Sequence, residues 1–266
     1  MLGFPSGDTT AMVEGDCRAT AARGTLGTIR NAMRLLELMN DGHVSMPLSE
    51  MAERSGLSLS TTHRVLRSLV EAGLVAQDGP RSRYSLGPEV IRLSEGYLAR
   101  LPVLRALAPY LVQLRDMTKG TVLVALLVKG SLLYADRVDA EEAGGIFREV
   151  HRIHDALGTA AGRVLLGHAH EDIWKEAVTS SPLGKGFSDK DRTAWATARA
   201  VILGPEEFLR PSVEVAVPVA DRSGAVVAAL AAVGSPRSFT ADVLTDRVTP
   251  ALIRAAAAAG QAVGNF

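Results

Sequence analysis

Several side chains that can donate hydrogen bonds lie between residues 59 and 70. This segment contains no aspartate or glutamate. Arginine side chains bind phosphates and guanine edges, and a surface without carboxylates does not repel the phosphate backbone. The outward-facing polar residues expected in this segment are Ser60, Thr61, His63, Arg64, Arg67 and Ser68. Their types and spacing predict a surface that contacts double-stranded DNA.

Helical spacing explains how these donors share one face. Apolar and small residues recur between them at intervals of three and four, which predicts a helix from residue 59 or 60 to 72, ended by Gly73. The stripe expected to be buried is Thr62, Val65, Leu66, Leu69 and Val70. A preceding helix over 47–55 and a tight turn over 56–58 complete a helix-turn-helix, whose second helix enters the major groove. For the helix taken alone, an ordinary solvated polar face stays open as an alternative.

Two short strands after this helix predict a winged helix. Residues 74–77 and 84–86 have the composition of strands, and the polar loop between them carries Arg81 and Arg83. Arginines in such a loop are suited to phosphate contacts. An amphipathic segment over 28–39 predicts the remaining helix of the unit. The face of this first helix expected to be buried is Ile29, Met33, Leu36 and Met39.

The rest of the chain predicts a connector and a larger mixed domain. Helices are expected over about 88–100 and 103–118, followed by β segments over 121–128 and 132–138. A hairpin is expected over 213–233, and Pro250 interrupts or kinks a last helix over 241–263. The fold class is therefore α+β with two domains. The division is a flexible tail over 1–24, a DNA-binding winged helix-turn-helix over 25–87, a connector helix over 88–102, and a domain with helices flanking a sheet over 103–266.

Composition and charge restrict the classes of function that fit this chain. The formal net charge of zero argues against a nonspecific nucleic-acid coat, but it fits a sequence reader whose arginines are concentrated in one place. The single cysteine, Cys17, cannot form an internal disulfide, which suits a reducing compartment. No apolar run reaches the roughly 18 residues that cross a bilayer, and the first residues do not form a signal peptide. We therefore expect a cytoplasmic protein without a membrane partner.

A set of short motifs resembles the IclR family of bacterial transcription regulators. The motifs lie at residues 33–36, 48–52, 56–66, 74–75, 84–87, 158–166, 216–219, 221–224 and 228–234. The resemblance covers nearly the whole chain after Thr25. It implies a GAF-like α/β second domain that binds a small-molecule effector, homodimers or homotetramers, and roughly palindromic operator DNA. It also implies a ligand-responsive regulator, for which we expect repression, and it implies neither a cofactor nor a metal.

The resemblance further implies an effector pocket, and this sequence departs from the family there. The residues expected to line the pocket are Ile146, His154, Ala160, Ala161, Glu214, Ala231 and Val233. Glu214 stands where the family often has a cysteine, and Ala231 and Val233 stand where it often has hydroxyls. Because Glu214 would repel an anion, we expect an uncharged or amine-bearing effector with an apolar, aromatic body. A one-residue error in aligning the strand would instead turn Glu214 to solvent.

Two other function classes compete with this interpretation. One is an enzyme that converts a small molecule and carries a GAF-like domain, although the sequence has no nucleophile elbow, phosphate loop or dinucleotide fingerprint. Its histidines also lack the spacing of a known metal site. The other is a winged helix that binds protein, which would not need an acid-free helix beside a basic loop. Salt-dependent binding to a DNA duplex distinguishes a regulator from both.

Overall fold

The computed structural model describes residues 27–40, 45–79, 82–140, 153–206 and 212–264. The chain divides between Tyr97 and Leu98 into two compact units. This boundary falls within the predicted connector, and the predicted tail over 1–24 lies outside the described residues. Over the described ranges, no helix combines the length and the apolar composition that a membrane span requires.

The first unit joins helices to a three-stranded antiparallel sheet. Its elements are α1 (27–40), β1 (Met46–Pro47), α2 (Leu48–Ser55), α3 (Leu59–Glu71), β2 (Val75–Asp78), β3 (Arg83–Leu86) and α4 (Glu89–Leu98). The strand order is β1-β3-β2. The helix-turn-helix and the two wing strands are therefore confirmed. Strand β1 was not predicted, because two residues are too short to show a periodicity; it forms when Met46 pairs with Tyr84 across the sheet.

Burial in this unit agrees with the prediction for α3 and corrects the one for α1. Thr62, Val65, Leu66 and Leu69 of α3 are buried, and Val70 is partly buried. In α1, however, Ile29 is 59% exposed and Met33 is 45% exposed, whereas Leu35 is fully buried beside Met39. The prediction was therefore wrong for Ile29 and Met33, whereas Met39 is buried as predicted and Leu36 is partly buried. The helix packs against α2 and α3 through the side that carries Leu35, which the predicted face left out.

The second unit contains a six-stranded antiparallel sheet. Its elements are α5 (Pro102–Thr118), β4 (Thr121–Val128), β5 (Ser131–Val138), β6 (Ile153–Asp155), α6 (Ala160–His168), α7 (Glu171–Ser180), α8 (Asp189–Thr197), β7 (Val201–Leu203), β8 (Val213–Ala220), β9 (Val226–Gly234), α9 (Ala241–Val243) and α10 (Thr249–Ala262). The strand order is β6-β5-β4-β9-β8-β7. A π-helical turn over Leu244–Val248 joins α9 to α10, just before Pro250, so the predicted interruption of the last helix is confirmed.

Side chains alternate across the sheet and build a core on each face. On one face, Val213, Val215 and Val217 of β8 pack with α5 and α10. On the other face, Ala216 of β8 and Ala231 of β9 pack with α6. Alanines on this second face leave little side chain between helix and sheet, and the residues of α6 from Ala160 to Gly167 are all buried. Strand alternation therefore decides which residues of β8 can reach the start of α6.

Candidate functional site

The first candidate site is the exposed face of α3, and its start is fixed by Ser58. The Ser58 hydroxyl accepts a hydrogen bond from the backbone N–H of Thr61 at 3.2 Å and donates one to Oγ1 of Thr61 at 2.9 Å. Gly56, with φ of 67°, ends α2 in the left-handed conformation and lets the chain turn within three residues. Ser58 is a positioning residue that the sequence analysis did not single out; a serine directly before a periodic apolar segment is the signal that could have identified it.

The six polar residues predicted on α3 point away from the core of the unit. Ser60, His63, Arg64, Arg67 and Ser68 are exposed, and Thr61 is partly buried beside Ser58. The first turn of α3 contains no acidic residue. Its side-chain donors therefore face solvent together, which is the arrangement that suits an approaching phosphate or base edge.

An ion pair on α3 limits the freedom of one donor. Nε of Arg67 donates to Oε1 of Glu71 at 3.1 Å, and both side chains are largely exposed. A surface pair of this kind contributes little to stability, about 0 to 1 kcal/mol. Arg67 can therefore exchange Glu71 for a phosphate at low cost.

The wing arginines have different positions in the structure. Arg83 donates from Nε to Oγ of Ser45 at 2.9 Å and from Nη2 to the carbonyl oxygen of Ser45 at 2.5 Å. These bonds hold the base of the wing against β1, so Arg83 has a structural contact in addition to its predicted DNA contact. Arg81 lies outside the described residues.

The second candidate site is centred on Glu214, a fully buried carboxyl group. Glu214 lies on β8 between Leu203 of β7 and Val233 of β9, with its side chain on the α6 face of the sheet. Oε2 accepts a hydrogen bond from the backbone N–H of Ala160 at 2.9 Å, and Oε1 accepts one from the N–H of Ala161 at 3.3 Å. The solvent-facing alternative for Glu214 is therefore wrong.

A third donor to Glu214 comes from β5. The hydroxyl of Tyr134 donates to Oε1 of Glu214 at 3.2 Å. Burial raises the pKa of the Glu214 carboxyl, and the hydrogen bonds from Ala160, Ala161 and Tyr134, together with the charge of Arg163, only partly oppose that rise. Burial and the neighbouring Glu214 carboxylate likewise raise the pKa of the Tyr134 phenol well above its usual range. Sequence reasoning missed Tyr134, because nothing local to β5 marks it.

His154 connects this buried group to an open cleft. Its ring packs edge-on against that of Tyr134, with the ring centroids 5.1 Å apart. His154 also lines a cleft of about 270 Å³ between the β5–β6 edge and α7. The other residues of the cleft are Gly130, Ser131, Ile153, Asp155, Ala177, Ser180, Ser181 and Pro182.

The remaining residues of the predicted pocket divide into two groups. Ala231 and Val233 are buried on the α6 face, together with Ala160, Ala161 and Glu214. Ile146 lies outside the described residues. Among the side chains that the structure describes, no group of three or more His, Cys, Asp and Glu is arranged to hold a metal ion. Whether the assembled residues bind an effector stays a prediction.

Known proteins resemble both units. Residues 28–79 match the family model described as the IclR helix-turn-helix domain. The HTH-type transcriptional regulator KdgR of Escherichia coli (strain K12) is 26% identical over 200 residues, which are 69% of this chain and 73% of KdgR.

Solved structures share the fold. An IclR family transcriptional regulator from Brucella abortus superposes with a TM-score of 0.75 at 23% identity, covering 89% of this chain and 92% of that one. An IclR homolog from Microbacterium hydrocarbonoxydans, complexed with 4-hydroxybenzoate, gives a TM-score of 0.65 at 22% identity and covers 88% of this chain and 97% of that one. At these identities the structural likeness concerns the fold alone.

Proposed function

Because the chain belongs to the IclR family of transcription regulators, we propose that α3 reads operator DNA in the major groove while the second unit senses a small molecule. The observation that carries the proposal is the exposed polar face of α3 behind its Ser58 cap, which has no acidic residue between 59 and 70. The proposed DNA contacts are Ser60, Thr61, His63, Arg64, Arg67, Ser68, Arg81 and Arg83. A matched helix-turn-helix and relatives that are regulators favour this function over the enzyme alternative.

The roles within α3 follow from position. Hydroxyls at the start of the helix, on Ser60 and Thr61, are placed for phosphate or base-edge contacts, as is common at the first turn of a recognition helix. Arg64 and Arg67 follow at one-turn spacing and can reach guanine edges or phosphates. The wing, through Arg81 and Arg83, contacts the neighbouring backbone.

The regulator works as a dimer or tetramer in this proposal. Two recognition helices related by twofold symmetry match half-sites about 34 Å apart or a multiple of that distance. Effector binding changes the relative stability of two arrangements, and the connector over 88–102 transmits the change to the spacing of the helices. A coupling of about 1 to 3 kcal/mol changes operator occupancy roughly 5- to 150-fold. We propose a repressor that acts in the cytoplasm. Repression requires only that the bound protein block a promoter, whereas activation requires a further contact with the transcription machinery.

The effector site is proposed around Glu214, Tyr134 and His154. Glu214 is surrounded by donors that already bind it, so an incoming anion meets a carboxylate rather than open N–H groups. An uncharged or amine-bearing molecule with an aromatic body avoids that repulsion and suits the alanine-rich face of the sheet. The 4-hydroxybenzoate of the Microbacterium relative is an aromatic acid. An aromatic acid and the amide of the same shape are therefore the two ligands to compare, because they differ in charge alone. The cleft beside His154 has room for one ring, since a cavity of about 150 Å³ holds benzene.

Selection of DNA from a random duplex pool tests the proposal. The purified full chain should enrich a sequence with two related half-sites. Its affinity for that sequence should fall steeply with salt, about 10³- to 10⁵-fold between 50 and 200 mM if six to ten phosphates are contacted. A melting-temperature screen of matched aromatic acids, amides and amines then identifies the effector, and the hits are added to the DNA-binding assay. Failure to enrich any duplex would contradict the DNA-binding role.

A further inference from the structure

The start of α6 is bound by a carboxylate that the chain itself supplies. The first N–H groups of a helix carry partial positive charge and have no partner within the helix. In α6, those of Ala160 and Ala161 bind Glu214, whereas that of Gly162 binds Oγ1 of Thr159 at 3.0 Å. The next N–H, that of Arg163, donates to the carbonyl oxygen of Thr159. Thr159 is thus the local cap, and Glu214 is an additional acceptor that arrives from a distant strand.

A buried positive charge adds to the preference for an anion here. Arg163 is 9% exposed, and its guanidinium lies 4.9 Å from the centre of the Phe187 ring. Its Nε donates to the carbonyl oxygen of Leu157 at 2.9 Å. The Arg163 charge lowers the pKa of Glu214, so the two groups interact electrostatically. The amides of α6, the Tyr134 hydroxyl and Arg163 together offset part of the cost of burying a negative charge, and Glu214 is the group that can carry this charge.

A contribution to the stability of the fold does not by itself explain why a carboxylate lies at this position. Burial disfavours its charged form more than the surrounding groups favour it, since its pKa is raised. Thr159 already caps the helix locally. The carboxylate therefore costs desolvation free energy at a helix start that is already capped. Its clearest effect is that the surrounding donors can no longer bind another anion.

We propose that Glu214 is an internal anionic ligand of the second unit and that it determines specificity: by occupying the N–H groups of Ala160 and Ala161, it excludes small carboxylates from the start of α6. The biological consequence rests on the proposed effector site, because exclusion of anions leaves uncharged or amine-bearing effectors as the accepted class. The occupancy of the α6 start by Glu214 does not depend on that site.

Chemical rescue tests the proposal with the purified full chain. Glu214→Ala removes the carboxylate and leaves the two N–H groups, the Tyr134 hydroxyl and a space for a small anion. Sodium acetate at pH 7 should then raise the melting temperature of the variant saturably, by roughly 3 to 6 °C at about ten times the acetate dissociation constant. Wild type and Glu214→Gln, in which the space stays filled, should respond to acetate no more than to sodium chloride. Acetamide, which has the same shape without the charge, should rescue Glu214→Ala less than acetate does.

Opposite results overturn the inference. An equal response of wild type and Glu214→Ala to acetate would show that Glu214 does not block the anion. Equal rescue by acetamide and acetate, or no rescue of a folded Glu214→Ala, would show that the N–H groups do not form an anion site once Glu214 is removed.

A second measurement applies if Glu214→Ala fails to fold. Glu214→Gln preserves the volume but turns an NH₂ group toward one of the donors, so hydrogen exchange at Ala160 or Ala161 should be at least tenfold faster than in wild type. Equal protection in both proteins would overturn the proposal. These readouts involve neither DNA nor an effector, so their failure is distinct from failure of the proposed regulatory function, which is tested by duplex selection.

Discussion

The phenol of Tyr134 donates to Oε1 of Glu214 across 3.2 Å, although the two residues lie 80 positions apart in the sequence. Tyr134 is on β5 and Glu214 on β8, with β4 and β9 between them in the sheet. The bond therefore spans two intervening strands and links the His154 ring to the amides of α6. The proposed effector site depends on this connection.

Removal of the Tyr134 hydroxyl should destabilise the protein. Tyr134→Phe keeps the ring and its packing against His154 but leaves a buried carboxylate with one donor fewer. We expect the free energy of unfolding to fall by about 1 to 3 kcal/mol at pH 7, measured by urea denaturation. Tyr97→Phe is the matched control, because Tyr97 is 61% exposed on α4. Equal effects of the two substitutions would mean that the bond to Glu214 contributes nothing.

The pH dependence of stability should reveal the buried carboxyl group. The pKa of Glu214 is raised in the folded protein above its ordinary value of 4.5, so folding favours the protonated form. Its contribution to stability is then complete below about pH 4.5 and is lost as the pH rises through the folded-state pKa. Glu214→Gln does not titrate at this position. The melting temperature of wild type relative to Glu214→Gln should therefore decline between pH 4 and pH 8, and a relative increase would contradict the direction of the shift.

Truncation of Arg64 should weaken operator binding. Arg64 is exposed in the part of α3, residues 59–70, that contains no acidic residue. If it makes a bidentate base contact, Arg64→Ala should reduce affinity roughly 5- to 150-fold, or about 1 to 3 kcal/mol, in fluorescence anisotropy with the selected duplex. Arg105→Ala removes the same charge from an exposed site on α5 of the second unit and serves as the control. If Arg64→Ala leaves the operator affinity unchanged, Arg64 is not one of the residues that contact bases.

Close packing at the start of α6 should make Gly162 sensitive to substitution. A Cβ at Gly162 would collide with the backbone carbonyl of Ala156, which cannot move as a flexible side chain could. Gly162→Ala should therefore cost about 1 to 3 kcal/mol or more in the free energy of unfolding. Gly96→Ala, in α4, meets nothing within 4 Å and should instead be neutral or stabilising by about 0.5 to 1 kcal/mol. A tolerated Gly162→Ala would show that α6 can move away from Ala156.

Local sequence patterns predicted most of the helices and strands. The stripe from Thr62 to Leu69 and the donors around Arg64 separate cleanly on α3, because a helix of thirteen residues repeats its period several times. The short strand β1 and the buried face of α1 were not predictable in this way. Two residues show no period, and an apolar residue such as Ile29 can be exposed where its part of the helix does not face the core.

For the candidate sites, the sequence determined which residue types were present and which shared an element. It placed Arg64 among donors on one helix face and Glu214 on an apolar strand, because helix and strand periods are local properties of the chain. Only the tertiary structure decided that Glu214 points inward, that Arg83 is held by Ser45, and that Tyr134 completes the carboxylate site. Those outcomes depend on strand order and register, which bring together residues far apart in sequence, and a shift of one residue would reverse them.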